Sequence, residues 1–178
     1  MSERSLADRL SGADVETLRE MMREAEAYLN AQLTAAIGAD QRAYTFAGFG
    51  SAAAVVLVGA AYGIASARSP DIPMAILATV VAGFLIAGAM LAIHSARSVD
   101  FEYSGNQPGH WVEDVEERKS LQRSLAEQCE HYDLMIGKNT KTISDNSRVF
   151  QRSTYIAQIG LGVGAAGFVL WLAARLFC

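Results

Sequence analysis

Residues 43–67 read AYTFAGFGSAAAVVLVGAAYGIASA, a run of 25 residues without a charged side chain. Residues 72–93 and 153–174 share this property, and each of these runs has 22 residues. About 20 mostly apolar residues are enough for an α-helix to cross the hydrocarbon core of a bilayer. A soluble domain needs no such segments, because its core helices keep one polar face. The sequence therefore predicts an all-α integral membrane protein with three transmembrane helices.

The charged residues are concentrated in two segments outside these runs. Residues 1–45 hold 5 Lys/Arg and 8 Asp/Glu, and residues 95–152 hold 8 Lys/Arg and 10 Asp/Glu. Two spans separate the segments, so both segments lie on the same side of the membrane. Because basic residues mark the cytoplasmic side, we expect a multi-pass protein with its N-terminus in the cytoplasm and its C-terminus outside.

This topology divides the chain into four predicted segments. They are a cytosolic N-terminal amphipathic helix at 1–42, a two-span transmembrane hairpin at 43–94, a cytosolic loop and helical segment at 95–152, and a third transmembrane helix at 153–178. Pro70 and Pro73 lie in the link between the first two spans, which is short enough to force an antiparallel hairpin. We expect the polar residues 1–13 to be loose.

The N-terminal segment carries one apolar stripe with a charged face opposite it. Its apolar side chains recur in steps of three and four, at Val15, Leu18, Met22, Ala25, Leu29, Leu33 and Ile37. We interpret the segment as a soluble helix that packs on a partner helix. A helix on the membrane surface is the alternative, which the acidic excess disfavours because anionic headgroups would repel it.

The second cytosolic segment is predicted to be helical from Trp111 to about Gln151. A seven-residue spacing places Leu125, Tyr132, Asn139 and Asn146 on one column, and Ile143 belongs to the column four residues on. Buried asparagines in such columns fix register and oligomer state in coiled coils. An unbroken helix of about 40 residues would be about 60 Å long, which the loop at 98–110 could barely span. We therefore expect a break near Gly137.

Small residues recur in all three runs at the spacing that favours close helix packing. The predicted helix-packing or oligomer interface consists of Gly59, Gly63, Gly83, Gly160, Gly164 and Gly167. Helices in lipid associate through close backbone approach, because no hydrophobic drive brings them together. Packing inside one three-helix bundle and packing between subunits both remain open. Three glycine-bearing spans offer more contact surface than one bundle uses, which motivates a homo-oligomer.

A pore between such subunits would have a weakly polar lining. Its candidate residues are Ser51, Tyr62, Thr79, Ser153, Thr154 and Gln158. A gated or dewetted pore is the form to expect from so few polar groups.

The sequence predicts no catalytic, cofactor-binding or metal-binding residue, and hence no enzyme. The three runs lack the ionisable groups that catalytic membrane proteins place inside the bilayer. His131 and Asp133 are two residues apart, so on a helix they face different ways. A net charge of −4 without a basic stripe disfavours a nucleic-acid partner.

The order of these segments resembles the SLATT proteins, small bacterial membrane effectors associated with nucleotide-signalled defence systems. The match consists of a short N-terminal helix, a tight hairpin at 46–67 and 74–93, and a helical segment headed by Trp111. It covers about residues 14–150, and the third span has no counterpart in that layout. The resemblance implies membrane disruption or depolarisation when a partner triggers it.

The leading hypothesis is a non-enzymatic, oligomeric effector or pore-forming protein of the bacterial inner membrane, gated by its cytosolic helices. It would contact the lipid bilayer and associate with itself, without a cofactor. Two alternatives stay open. One is a holin-like lysis protein, and the other is a passive membrane anchor or scaffold for a soluble cytosolic protein.

Overall fold

The computed structural model describes residues 4–97 and 100–177, which form α-helices joined by short connections. The helices are α1 (Leu6–Leu10), α2 (Val15–Ala65), α3 (Ile72–Ser95), α4 (Val112–Glu116) and α5 (Leu121–Phe177), with a 3₁₀ turn at Pro108–Trp111. These described residues contain no β-strand. The predicted all-α fold is confirmed.

Three of the helices are long and apolar enough to cross a membrane. The most apolar 18-residue windows of α2, α3 and α5 have mean hydropathies of 1.7, 2.5 and 1.8. Only 17 %, 33 % and 11 % of these windows is buried within the chain, so most of their apolar surface faces outward. Such surface is stable against lipid, as expected of a multi-pass membrane protein.

The chain forms two compact units, and α2 and α5 each contribute residues to both. The polar unit comprises residues 4–37 and 100–144, and the span unit comprises residues 38–97 and 145–177. The polar unit holds most of the charged side chains, and the span unit holds the three apolar segments.

In the span unit α3 packs against both α2 and α5. Its contact with α2 is built on small side chains, which let the two backbones approach closely. The buried residues at one end of this contact are Ala43, Ala47, Ala89, Ala92 and Ala96. Nearby, the rings of Phe46 on α2 and Phe150 on α5 meet edge to face with their centroids 5.8 Å apart.

The link between α2 and α3 is a tight hairpin, as the sequence predicts. Helix α2 ends at Ala65 and α3 begins at Ile72. The Asp71 carboxylate caps α3 by accepting the Met74 backbone N–H at 3.2 Å, which satisfies a donor that the helix leaves free. Pro73 lies in the first turn, where its missing N–H costs nothing.

In the polar unit the apolar stripe of α2 packs on α5. Leu18 lies in a buried cluster with Leu125, Ala126 and Cys129, and Leu29 lies in a second cluster with Tyr132 and Met135. The prediction that this stripe packs on a partner helix is therefore confirmed from Val15 to Leu29, whereas Ile37 at its end is 51 % exposed. Trp111 is partly buried against the first cluster and holds the preceding loop to it.

Residues 6–10 are helical, so the expectation of a loose N-terminal segment is wrong in this part. Ser5 caps α1 by accepting the Asp8 N–H at 3.1 Å. The free N–H groups of Leu6 and Ala7 donate to the Glu130 carboxylate at 3.3 and 3.2 Å. This long-range cap stabilises a helix too short to persist alone.

The predicted helix from Trp111 with a break near Gly137 is wrong in the place of the break. The chain leaves helical geometry at Arg118, which has φ 54°. Ser120 then starts α5 by accepting the Arg123 N–H at 3.2 Å. From Leu121 the helix continues through Gly137 to Phe177.

Two physical reasons explain the unbroken helix. The connection between α3 and α5 covers residues 96–120, so it is longer than expected, and the helix begins at Leu121 instead of Trp111, which removes the problem of reach. Helix α2 also supports α5 on both sides of the glycine. The Gln32 amide donates to the Ile136 carbonyl at 3.2 Å and to Thr140 Oγ1 at 2.9 Å.

Candidate functional site

The glycines of α5 are brought together against α3. Gly160, Gly164 and Gly167 face the side chains of Phe84, Val81 and Leu77. A Cβ at Gly164 would lie 2.9 Å from a Val81 methyl, and one at Gly167 would lie 2.7 Å from a Leu77 methyl. At Gly160 it would overlap the Cβ of Phe84. These three glycines therefore serve packing within one chain.

A second close contact between α3 and α5 was missed by sequence reasoning. Ser153 is fully buried, and its hydroxyl donates to the Gly88 carbonyl at 2.8 Å. A Cβ at Gly88 would lie 3.1 Å from the Ser153 carbonyl oxygen. The available signal was a hydroxyl at the start of an apolar run, because such groups can hydrogen-bond to a neighbouring helix in lipid. Because Ser153 is buried and bonded, its assignment to a pore lining is wrong.

The glycines of the first two spans are open. Apart from chain neighbours and the backbone of the same helix turn, no described residue comes within 4 Å of a Cβ built at Gly59, Gly63 or Gly83. All three residues are exposed. The structure thus brings the predicted glycines together only on α5.

Helix α2 uses one face for packing inside the chain and leaves the opposite face free. Its buried residues in the apolar segment include Ala47, Ala54 and Ala61. At about 100° per residue, Gly59 and Gly63 project on the other side of the helix. We call this open side, together with the exposed Gly83 side of α3, the free glycine faces.

The turn between α2 and α3 is tied to the end of α5 by Asp71. Trp171 donates its indole N–H to the Asp71 carboxylate at 2.8 Å, and Arg175 donates to the same oxygen at 3.0 Å. The Arg175 guanidinium also lies 4.9 Å from the centre of the Trp171 ring. These contacts, the Trp171 hydrogen bond above all, hold the pKa of Asp71 below its usual value. We call this group the Asp71 latch.

The polar unit buries three of the predicted register residues. Leu125, Tyr132 and Asn139 are at most 4 % exposed. The Tyr132 hydroxyl donates to the Glu26 carboxylate at 3.0 Å. Burial raises the pKa of Tyr132, and the bond to Glu26 raises it further.

Asn139 satisfies its side chain within its own chain. Its amide donates to the Glu102 carbonyl at 2.8 Å, and its oxygen accepts the Glu102 backbone N–H at 3.0 Å. The asparagine therefore holds the loop after α3 to the side of α5. Its burial needs no second copy, and a role in setting oligomer state stays a prediction.

The remaining two register residues are not brought into this cluster. Ile143 and Asn146 are only half-buried. Asn146 belongs to the span unit, whereas Asn139 belongs to the polar unit. The residues at this seven-residue spacing therefore lie in two different environments, one in the polar unit and one in the span unit.

Charged side chains surround the break before α5. Lys119 lies 2.9 Å from Asp114, 3.3 Å from Glu127 and 3.4 Å from Glu117. These carboxylates raise the pKa of Lys119, and Lys119 in turn lowers the pKa of Asp114. The positive φ at Arg118 brings the Lys119 backbone N–H to the Asp114 carbonyl at 2.9 Å.

Thiol and metal chemistry have few candidate groups here. Cys129 is buried with its sulfur 3.7 Å from the Leu18 carbonyl, and burial raises the pKa of the thiol. Within residues 4–97 and 100–177, no three His, Cys, Asp or Glu side chains are grouped so that they could hold a metal ion.

Comparison with known proteins adds no relative. The chain matches no protein-family model, and no curated protein or solved structure is significantly similar to it. The resemblance to the SLATT proteins therefore stays a prediction based on segment order.

Proposed function

We propose that this protein is a non-enzymatic, oligomeric effector or pore-forming protein of the bacterial inner membrane, controlled by its polar unit on the cytoplasmic side. The observation that carries this proposal is the pair of free glycine faces, formed by Gly59 and Gly63 on α2 and Gly83 on α3. They are available to a second copy because packing within the chain does not use them.

Glycine at these positions has a cost that lipid contact alone does not repay. A glycine in a helix is about 1 kcal/mol less favourable than alanine. Helices associate in lipid where small residues let their backbones approach closely. Contact with a second copy therefore gives a physical reason for Gly59 and Gly63 that contact with lipid does not give.

Control by the polar unit is supported by the continuity of two helices. Helix α2 extends from Val15 to Ala65 and α5 from Leu121 to Phe177, each without a break. A partner that reorganises the first part of either helix acts on the same helix that carries a span. A gated effector requires an element with two states, and we assign that role to these continuous helices.

The exposed polar groups near the free glycine faces suit a narrow, weakly polar pore. Tyr62 is 76 % exposed on α2, and Ser51 and Thr79 are also exposed. Such a lining conducts only when it is wetted, which provides a means of gating.

The proposal is tested by following membrane potential with a voltage-sensitive dye during controlled expression in bacteria. We compare the wild type with the double variant Gly59→Leu, Gly63→Leu. The matched control is Ala53→Leu, because Ala53 is exposed on the same helix and, at about 100° per residue, projects about 80–120° away from the two glycines. We expect the wild type and the control to depolarise the membrane and the glycine variant not to do so.

Equal depolarisation by the glycine variant at equal inserted amounts would contradict a pore built on this face. The alternatives are separated by the same measurement. A holin depolarises the membrane only after it has accumulated, whereas an effector whose signal is present depolarises it as soon as it is inserted. A scaffold leaves the potential unchanged at any level of inserted protein.

A further inference from the structure

A groove lies at the polar end of the contact between α3 and α5 in the span unit. It is lined by Leu91, Arg148, Gln151, Arg152, Tyr155 and Ile156. All but Leu91 come from α5 at spacings of three and four residues, so they share one side of that helix. The groove lies where the charged part of α5 meets the apolar run that begins at Ser153.

The half of this groove formed by the charged part of α5 is cationic. Arg148 and Arg152 are one helical turn apart and both are exposed. Arg148 has a contact of 3.4 Å to Asp145, but an exposed ion pair of this kind holds its partners weakly. Arg152 has no ion pair within the part of the chain that the structure describes. Both guanidinium groups are therefore free to bind a phosphate, for which their planar donors are well suited.

The half of the groove that lies beside the charge-free segments is apolar. Leu91 and Ile156 are half-buried, and both belong to helices that continue into the charge-free segments. Tyr155 lies between the two halves and is 68 % exposed. Tyrosine prefers the boundary between headgroups and hydrocarbon, because one end of its side chain is polar and the other apolar.

We propose that this groove binds an anionic phospholipid, with the lipid phosphate between Arg148 and Arg152 and an acyl chain along Leu91 and Ile156. The apolar half distinguishes a lipid from a free phosphate ion, which would have no contact there. The inference rests on the placement of α3 and α5 in a membrane and does not require that the protein form a pore.

The bound lipid would join α3 to α5 at the end of their contact opposite the Asp71 latch. A second groove at this boundary is lined by Gly38, Gln41, Arg42, Thr45, Phe46 and Phe49. It has one arginine, whose Nε already donates to the Gly38 carbonyl at 3.2 Å. The groove on α5 is therefore the stronger lipid site of the two.

The test is native mass spectrometry of the full chain in detergent, titrated with dioleoylphosphatidylglycerol. Both arginines attract an anionic headgroup, so Arg148→Gln, Arg152→Gln should bind this lipid about thirty-fold more weakly. The control Arg4→Gln, Arg19→Gln removes the same charge from exposed residues of the polar unit and should bind like the wild type. Arg42→Gln should have a smaller effect than the double variant.

Three results would overturn the proposal. The first is equal loss of binding in the control variant, which would indicate a response to net charge. The second is equal binding of dioleoylphosphatidylcholine, which has the same chains and no net charge. The third is displacement of the lipid by inorganic phosphate at equal concentration, which would indicate a small-anion site. Each measurement stands whether or not the protein depolarises membranes.

Discussion

Gly160 and Gly164 on α5 are spaced four residues apart, as Gly59 and Gly63 are on α2, yet their surroundings differ. A Cβ built on the first pair would meet Phe84 or Val81 of α3, whereas no described neighbour lies within 4 Å of a Cβ built on the second pair. The spacing shows that a backbone can come close, and it does not show which helix does so. Here α3 packs on both neighbours and decides which glycine face is used inside the chain.

The largest effect is expected from filling the covered face. Gly160→Leu should disrupt the span unit, because its side chain would take the place of the Phe84 Cβ, which cannot move without the backbone. Overpacking of this kind costs about 1–3 kcal/mol or more. Unfolding in sodium dodecyl sulfate, followed by circular dichroism, measures the loss.

Gly162→Leu is the matched control for that measurement. Gly162 lies on the same helix, and none of the described residues is within 4 Å of a Cβ built there. Equal stability of the two leucine variants would show that the α3–α5 contact is looser than the structure has it.

The two asparagines of the seven-residue column extend the comparison to the polar unit. Asn139→Leu should cost about 1–3 kcal/mol, because the backbone N–H and C=O of Glu102 lose their partner. Hydrogen exchange at residues 100–104 should increase, since the loop is no longer held to α5. Asn146→Leu, at a half-buried position, should leave this exchange unchanged. Equal protection in both variants would remove Asn139 from its assigned role.

Filling the free face should affect assembly and leave the single chain stable. Gly59→Leu, Gly63→Leu should weaken self-association in detergent by about tenfold, because bulk replaces the surface on which a second backbone would pack. Light scattering measures the mass of the assembly. Resistance to unfolding in sodium dodecyl sulfate should be unchanged or slightly higher, because leucine favours the helix. An unchanged mass would leave the free face to lipid.

The smallest effect is expected at the Asp71 latch, which closes one end of the covered contact. The pKa of Asp71 is lower in the folded chain than its usual value. Its contribution to stability is therefore present above the unfolded pKa and is lost as pH falls through the folded pKa. In a Trp111→Phe background, Trp171 fluorescence should change on acidification below pH about 4.

Asp71→Asn should remove this pH response and loosen the end of α5 modestly at neutral pH. The asparagine can still accept the indole N–H, but it no longer attracts Arg175. A response of the same size in the variant would assign the fluorescence change to another carboxylate.

The spans and the hairpin were predictable because their signal is local in sequence. A charge-free run such as residues 43–67 reports its own hydropathy, and Pro73 with Asp71 marks a helix start without reference to other segments. The stripe from Val15 to Ile37 was also sufficient to predict packing on a helix, although not which one.

The remaining features depend on contacts between residues far apart in the chain. Gly137 indicated a break, yet Gln32 supports the helix around it from a position more than 100 residues away. The actual break needs a positive φ at Arg118, which arginine seldom adopts. Its local sign was Ser120, a good helix cap. Asp71 and Trp171 are 100 residues apart, so no pattern of spacing could join them.

The buried thiol of Cys129 can report how often the polar unit opens, because it reacts only when it is exposed. Its raised pKa keeps it protonated at neutral pH, and a protonated thiol hardly reacts with maleimides or iodoacetamide. In a Cys178→Ser background the alkylation rate of Cys129 would therefore measure how often α2 and α5 separate around Leu18. The same alkylation measurement can be made in living cells and in detergent, and it needs no engineered cysteine.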